Sequence, residues 1–304
     1  MKVDYLIRSL LFLPAHVEKL MDKASKCNAD VLSLDIEDSC QTPENKQIAR
    51  DNIKRYIENG LFKGRIVFPR VNDRESGELL KDVYQLSIPG ITGFIYPKCQ
   101  NSQDVFFIGK LLETIEYEKG YPIGTFKLIL LIETTGAVAH INEICGACPE
   151  RVVAIAFGHG DYIADLGGID DENDRDNIYL ARATVANAAK ANGLIPLDIV
   201  HVKLHDTADL EKEANDARRL GYEGKMTVHP KEIDICNKFF SPSEEQVTWA
   251  KEMIELSENA VTEGRSVAIK DSKFVAPPML RMAKAIMEKY RKCCDHDNKR
   301  LSSC

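Results

Sequence analysis

The segment Leu128-Ile129-Leu130-Leu131-Ile132-Glu133 places a carboxylate directly after an uninterrupted apolar run. Such a run is typical of a strand that lies in a parallel sheet and is buried on both faces. Further apolar runs lead into charged residues along the chain: 31–34 into Asp35, 66–69 into Arg70, 93–97 into Lys98 and 152–158 into Asp161. Charged groups at the carboxyl ends of several strands are the signature of a (β/α)₈ barrel with its active site at that face.

Strand-like segments alternate with helical patterns over most of the chain. The sequence predicts eight strands, at residues 10–13, 31–34, 66–68, 94–96, 128–132, 153–157, 195–197 and 224–228. This alternation indicates the α/β class, and functional groups spread over most of the strands favour a (β/α)₈ TIM barrel. A doubly wound sheet would instead concentrate its ligand at one switch point. No glycine-rich phosphate loop follows any predicted strand.

The strand–helix alternation stops at about residue 237. There, Ser243 followed by Glu244 and Glu245 is typical of a helix start, with a capping hydroxyl and acids in the first turn. We therefore expect a catalytic barrel domain over residues 1–236 and a C-terminal helical extension over 237–292, packed on the barrel or on a neighbouring subunit. The polar residues 293–304 are expected to form a disordered tail.

Composition excludes several classes of partner. The 304 residues carry 40 basic and 47 acidic side chains, and the net charge of −7 disfavours nucleic acid as a ligand. No apolar run approaches the roughly 20 residues that span a bilayer, so no membrane segment is expected. The nine cysteines are odd in number and scattered, which is typical of reduced thiols in a cytoplasmic protein.

Two carboxylates are the leading metal-ligand candidates. Glu133 and Asp161 each follow an apolar strand, and consecutive barrel strands bring such ends close together. Two protein oxygens, completed by water and substrate oxygens, are a usual way to hold Mg²⁺. Gly158 and Gly160 permit close backbone approach to a ligand. The alternative is that each acid only caps a helix or forms an ion pair.

Basic residues at the other strand ends are candidates for binding an anionic substrate. Arg70 can hold a carboxylate through two parallel hydrogen bonds, although a surface ion pair is the alternative. Asp35 and Glu37 follow the second predicted strand. With Asp38 they form an acidic cluster. Some of these acids could orient Arg70, Arg8 or Lys98 rather than contact the substrate. Lys98 could form a Schiff base, but acids around it would keep it protonated, which favours an electrostatic or structural role.

A series of short motifs occurs in a fixed order along the chain. They are RSLLFLP at 8–14, LDIED at 34–38, PRVN at 69–72, YPK at 96–98, LIET at 131–134, FGHGD at 157–161, GYEGK at 221–225, VHPKEI at 228–233 and FSPS at 240–243. In their order and spacing they resemble the citrate lyase β-subunit-like branch of the HpcH/HpaI aldolase superfamily. The resemblance extends over roughly residues 8–289.

The resemblance implies a (β/α)₈ barrel that forms homo-oligomers, often trimers, and binds Mg²⁺ through Glu133 and Asp161. It also implies that Arg70 holds the carboxylate of a 2-oxo acid. The expected reaction is the cleavage or formation of a carbon–carbon bond in a 3-hydroxyacyl thioester of the citryl-, malyl- or citramalyl-CoA type. Its products would be a 2-oxo acid and acetyl-CoA.

The site prediction combines this resemblance with the residue patterns. We predict Arg70, Glu37 and Asp35 as the catalytic group. Substrate binding is assigned to Arg70 and Glu133, together with Arg8 and Lys98.

The chain departs from the family pattern in its C-terminal extension. Where the related lyases usually carry an aspartate that acts as acid or base, the segment Asp271-Ser-Lys-Phe-Val-Ala276 ends in alanine. Another group, such as Asp271 or Glu37, would then have to manage the proton, or the reaction differs. Two alternatives follow from this departure: a CoA-independent 2-oxo-acid aldolase, and a non-catalytic subunit of a larger lyase complex.

Overall fold

The computed structural model describes residues 5–169, 171, 176–262, 269–270, 273–274 and 276–301. The chain divides into two compact units, Met1–Asn237 and Lys238–Cys304. No helix among the described residues is both long enough and apolar enough to cross a membrane.

The described part of the first unit contains eight parallel strands. They are β1 (Ser9–Pro14), β2 (Val31–Asp35), β3 (Ile66–Val67), β4 (Gly93–Tyr96), β5 (Lys127–Ile132), β6 (Val152–Phe157), β7 (Ile195–Asp198) and β8 (Gly224–Thr227). Their order is β3-β2-β1-β8-β7-β6-β5-β4. Backbone hydrogen bonds between the segments after β3 and in β4, such as Ile95 N–H to the Pro69 carbonyl at 2.9 Å, bring the two outer strands together. The (β/α)₈ prediction is therefore confirmed.

Helices follow the strands around the barrel. They are α1 (Glu18–Ala24), α2 (Pro43–Glu58), α3 (Leu79–Leu86), α4 (Ser102–Lys119), α5 (Thr135–Ala139), α6 (Ile141–Gly146), α7 (His159–Leu166), α8 (Asp176–Ala191), α9 (Thr207–Leu220) and α10 (Pro230–Phe239), with a 3₁₀ helix at Arg74–Ser76. Between β5 and β6 the chain forms two short helices, α5 and α6, and not one continuous helix. They meet at His140, whose φ of −103° and ψ of 14° lie outside the helical region.

Alternate side chains of each barrel strand point into two different apolar cores. One set of alternate residues lines the barrel interior, including Leu10, Val31, Ile129 and Leu197. The intervening residues pack against the helices in a larger core. This period of two fixes which side chains at the strand ends point into the barrel mouth.

A charged network is buried at β7 and β8. Lys225 Nζ lies 3.4 Å from Asp198 and 3.0 Å from Glu213, and its side chain has no solvent exposure. Arg182 donates two hydrogen bonds to the same Asp198 carboxylate, at 3.0 and 2.9 Å. His201 Nδ1 lies 3.1 Å from Glu213. Each buried charge therefore has a partner of opposite sign, the condition for burying charge at all.

The second unit contains α11 (Glu244–Thr262), the short strands β9 (Ile269–Lys270) and β10 (Lys273–Phe274), and α12 (Pro277–Leu301). Apolar residues of α11 and α12 pack together around Ala250, Met253 and Ala283. The disordered tail expected from residue 293 differs from the structure, because α12 continues to Leu301. Cys293 is buried and lies 3.6 Å from Ser241 Oγ, so the packed face of α12 extends beyond the predicted helix end.

Candidate active site

The candidate site lies at the mouth of the barrel because strand alternation directs its side chains there. On β5, Ile129 and Leu131 line the interior, and Glu133 continues the same face two residues later. The same period of two leads from Phe68 in the interior to Arg70 at the mouth. Acidic and basic side chains from several strands thus meet in one place.

Arg70 is held by three carboxylates. Its Nε and Nη2 each donate to an oxygen of Asp35 at 2.7 Å, a bidentate pair. Its Nη1 lies 2.9 Å from Glu37 and 2.9 Å from Asp38. The guanidinium carbon also lies 5.0 Å from the centre of the Phe12 ring. Arg70 is therefore fixed in orientation, and the exposed side chain of Asp38 is the contact that a ligand carboxylate could most readily replace.

The pKa values of Asp35 and Glu37, two acids of the mouth, are shifted in opposite directions. Burial raises the pKa of Asp35, but its hydrogen bonds and ion pair with Arg70 outweigh burial, and the net pKa lies below its usual value. Burial also raises the pKa of Glu37. Arg70 opposes this effect while Asp38 adds to it, and the pKa of Glu37 reaches about 7. Asp35 is thus a permanent anion that orients Arg70, whereas Glu37 exchanges a proton near neutral pH.

Glu133 is a buried carboxylate held by the backbone of a neighbouring strand end. The Lys98 N–H donates to Glu133 Oε1 at 2.6 Å. Lys98 adopts a φ of +50°, which few residues other than glycine accept. Burial and the charge of Glu37 raise the pKa of Glu133 to about 8, and Asp161 contributes in the same direction.

Asp161 lies in the first turn of α7, exposed to solvent. It is close enough to Glu133 for its charge to disfavour a second negative charge there. A divalent cation between two such carboxylates would relieve this repulsion, and hard oxygen ligands suit Mg²⁺. The donor set therefore fits Mg²⁺, and Glu133 and Asp161 are the residues of this chain that would hold it.

Gly158 has no side chain, and this leaves room for the side chain of Glu133. A Cβ added to Gly158 would lie 2.9 Å from both Cβ and Oε2 of Glu133. We expect Gly158→Ala to displace the Glu133 carboxylate and to weaken Mg²⁺ binding at least tenfold, as measured by isothermal titration calorimetry. Gly160→Ala is the matched control, since a Cβ there has no neighbour within 4 Å. Equal affinity for Mg²⁺ in both variants would contradict the expected role of Gly158.

The side chain of Lys98 lies among acids, as the sequence suggests. Its Nζ is 3.1 Å from Glu37 and 3.7 Å from Asp73. Partial burial lowers the pKa of Lys98, but the charges of Glu37 and Asp73 outweigh it, and the net pKa lies above its usual value. A protonated amine cannot attack a carbonyl, so this geometry favours an electrostatic role over a Schiff base.

The structure does not bring Arg8 to the mouth. Arg8 precedes β1 and pairs with Asp30, which precedes β2, at 2.9 Å. Since the strands are parallel, both residues lie at the opposite end of the barrel, separated from the mouth by a strand of roughly 20 Å. Both side chains are buried there, and the predicted substrate contact of Arg8 is replaced by a structural ion pair.

Sequence reasoning did not identify two contributors to the site. Phe12, which lies under Arg70, follows Leu10 by two residues, and strand alternation could have placed it at the mouth. No sequence pattern singles out Asp165, which accepts hydrogen bonds from Thr135, two residues after Glu133. Asp271 lies outside the described residues. Ala276 is half-buried at the start of α12.

The fold and the site together define a class, the (β/α)₈ barrel enzymes that carry their charged groups at the carboxyl ends of the strands. The family model described as HpcH/HpaI aldolase/citrate lyase matches residues 8–230, most of the barrel unit. The chain belongs to this family and is a lyase of the family, which confirms the resemblance drawn from its motifs.

Known proteins of this family align over nearly the whole chain. The citrate lyase subunit beta of Haemophilus influenzae is 28% identical over 284 residues, covering 93% of this chain and 96% of that protein. The L-malyl-CoA/beta-methylmalyl-CoA lyase of Rhodobacter capsulatus is 28% identical over 301 residues, covering 92% and 93%. The crystal structure of CitE from Mycobacterium tuberculosis, in complex with magnesium, acetoacetate and coenzyme A, aligns with a TM-score of 0.74 at 26% identity. It covers 95% of this chain and 99% of that one.

Proposed function

We propose that this protein is a Mg²⁺-dependent lyase of 3-hydroxyacyl-CoA thioesters of the citryl, malyl or citramalyl type. It would cleave them to a 2-oxo acid and acetyl-CoA, or run the reverse reaction. The observation that carries the proposal is the meeting of Glu133, Asp161, Glu37 and Arg70 at one barrel mouth. Lyases of this kind among the relatives, and the magnesium and coenzyme A bound to CitE, support it.

Arg70 is proposed to bind the carboxylate next to the reacting carbon. Asp35 keeps the guanidinium in position through its two hydrogen bonds, so Arg70 needs no reorganisation when the ligand arrives. The Nη1 group, now shared with the exposed Asp38, would turn to the ligand. Bound Mg²⁺, held by Glu133 and Asp161, would act as a Lewis acid on the 2-oxo acid and orient it.

Glu37 is proposed to carry the proton in place of the aspartate that is absent at Ala276. In cleavage, the 3-hydroxyl loses its proton, the bond between C2 and C3 breaks, and its electron pair passes to C2, which then takes up a proton. Glu37 lies between Arg70 Nη1 and Lys98 Nζ, at 2.9 and 3.1 Å. Its ionised form accepts from both cations, and its protonated form can still accept from one of them through the carbonyl oxygen. A group so placed can accept the first proton and return one.

The test is acetyl-CoA release from citryl-, malyl- and citramalyl-CoA, each with Mg²⁺ and with EDTA. We expect release from at least one thioester with Mg²⁺, and its loss with EDTA. Glu37→Gln should lower kcat by about 10²–10⁴-fold, the usual contribution of a general acid or base. Glu143→Gln, the same change at an exposed acid of α6, should leave kcat unchanged.

Each negative outcome points to a different alternative. No release from any thioester, with a 2-oxo acid still bound in the presence of Mg²⁺, would favour a CoA-independent aldolase. Binding without turnover of any substrate would favour a non-catalytic subunit. Release that survives EDTA would contradict the proposed role of the metal.

We further propose that the protein acts in the cytoplasm as a homo-oligomer, with a trimer favoured. The family resemblance supports the oligomer. The eight cysteines that the structure describes are free thiols, which suits a reducing compartment.

A further inference from the structure

The two segments that carry Glu133 and Asp161 separate directly after their strands. The last backbone bond between them runs from the Gly158 N–H to the Ile132 carbonyl, at 2.8 Å. Beyond it, the chain after β5 turns into α5, while the chain after β6 turns into α7. A metal held by one residue from each segment needs a fixed distance between them, and strand pairing ends before either ligand.

A carboxylate of α7 joins the two segments again. Asp165, on α7, accepts hydrogen bonds from both the backbone N–H of Thr135, at 2.7 Å, and the Thr135 hydroxyl, at 2.6 Å. The Thr135 N–H lies in the first turn of α5, where no intrahelical acceptor exists. Thr134 caps the same helix through its own hydroxyl, which binds the Ala137 N–H at 3.1 Å. The two donors on Thr135 hold the pKa of Asp165 below its usual value.

Each residue of this contact lies close in sequence to one of the two candidate ligands. Thr135 follows Glu133 by two residues. Asp165 follows Asp161 by four, so the two aspartates lie on one face of α7, one turn apart. A shift of α7 along or around its axis would therefore break the Asp165–Thr135 contact as it moved Asp161 away from Glu133.

We infer that Asp165 is a positioning residue of the metal site, which fixes the separation of Glu133 and Asp161 by clamping α7 to the start of α5 through Thr135. Asp165 would act through its contact with Thr135 and not as a ligand of the metal. Charge-assisted hydrogen bonds of this kind are short and directional, so they restrict the movement of α7 relative to α5. The inference rests on the proposed function, because it presupposes Mg²⁺ between Glu133 and Asp161.

The test is Mg²⁺ affinity of the full chain by isothermal titration calorimetry, with no substrate and no turnover. Asp165→Ala should weaken Mg²⁺ binding at least tenfold, within the 10–100-fold range typical of residues that orient metal ligands. Thr135→Val keeps the N–H bond and loses the hydroxyl bond, so it should show a smaller loss. Thr135→Ser keeps both donors and should restore the affinity of the wild type.

A matched control separates positioning from simple helix capping. Asp206→Ala removes a comparable cap, the bond from the Asp209 N–H to Asp206 at 3.0 Å, from α9. Both alanine variants should lower the melting temperature of the metal-free protein by a similar small amount, but only Asp165→Ala should lower Mg²⁺ affinity. If Asp165→Ala does not fold, the Mg²⁺ affinity of Thr135→Val provides the test.

The outcomes distinguish the clamp from the function on which it rests. If Glu133→Gln abolishes Mg²⁺ binding while Asp165→Ala and Thr135→Val stay within twofold of the wild type, the clamp is overturned and the metal site stands. If the wild type shows no Mg²⁺ binding that Glu133→Gln removes, both are overturned.

Discussion

Replacing Glu133 by glutamine should abolish Mg²⁺ binding and lower kcat/KM at least about 10³-fold, equivalent to about 4 kcal/mol of transition-state stabilisation. Glutamine keeps an oxygen that can accept the Lys98 N–H, so the local backbone should not change. What disappears is the negative charge, and a neutral amide is a poor ligand for Mg²⁺ beside a single remaining carboxylate.

The same variant should lose activity without losing folding stability. Burial and the charge of Glu37 disfavour the ionised form of Glu133, as its pKa of about 8 shows. Without metal, Glu133→Gln should therefore be at least as stable as the wild type in urea titrations. Glu143→Gln, at an exposed acid, is the control for both measurements. Turnover by Glu133→Gln at the rate of the wild type would show that the site has been assigned to the wrong residue.

Replacing Lys225 by methionine should lower the free energy of unfolding by about 3–5 kcal/mol, the usual cost of removing one partner from a buried ion pair. Methionine has a similar length and shape but no charge, so Asp198 and Glu213 would each lose a cation within 3.4 Å. The side chain of Asp198 has no solvent exposure, and that of Glu213 is only 8% exposed. Their remaining partners, Arg182 and His201, already bind them.

An exposed lysine–carboxylate pair provides the control. Lys190 pairs with Glu223 at the surface, and Lys190→Met should change the free energy of unfolding by less than about 1 kcal/mol. Urea titrations of both variants measure the contrast directly. Equal effects would show that burial does not set the strength of the pair at Lys225.

The same network predicts how stability depends on pH. Burial raises the pKa of Glu213, but Lys225 and His201 outweigh it and bring the pKa down from 4.5 to about 2. A lowered pKa in the folded state stabilises the protein above the unfolded value, and this contribution is lost as the pH falls from about 4.5 towards 2. In Lys225→Met, the loss of stability over this acid range should be smaller.

The barrel could be predicted from the sequence because each buried strand is recognisable from its own residues. A buried parallel strand needs a continuous apolar run, and the run from Leu128 to Ile132 shows this without reference to any other part of the chain. Alternation with a period of two then places Glu133 on the interior face, so the mouth could be predicted from the same segment. The break between α5 and α6 was not predictable in this way, because the apolar pattern continues through His140.

Contacts between distant segments were decided only by the tertiary structure. Arg8 precedes the strand predicted at 10–13, so its position along the chain already implied the end of the barrel opposite the mouth. Its ion pair with Asp30 could be found only in the tertiary structure. The pairing of Asp165 with Thr135 joins residues 30 positions apart.

The fold class, the family and most of the residues at the mouth could therefore be predicted from the sequence, because strand alternation and strand ends are properties of single segments. The contacts among those residues could not be predicted in this way, since hydrogen bonds such as that from the Lys98 N–H to Glu133 depend on the relative placement of two strands. Burial, and with it the raised pKa of Glu37 and Glu133, exists only once the barrel has closed around them.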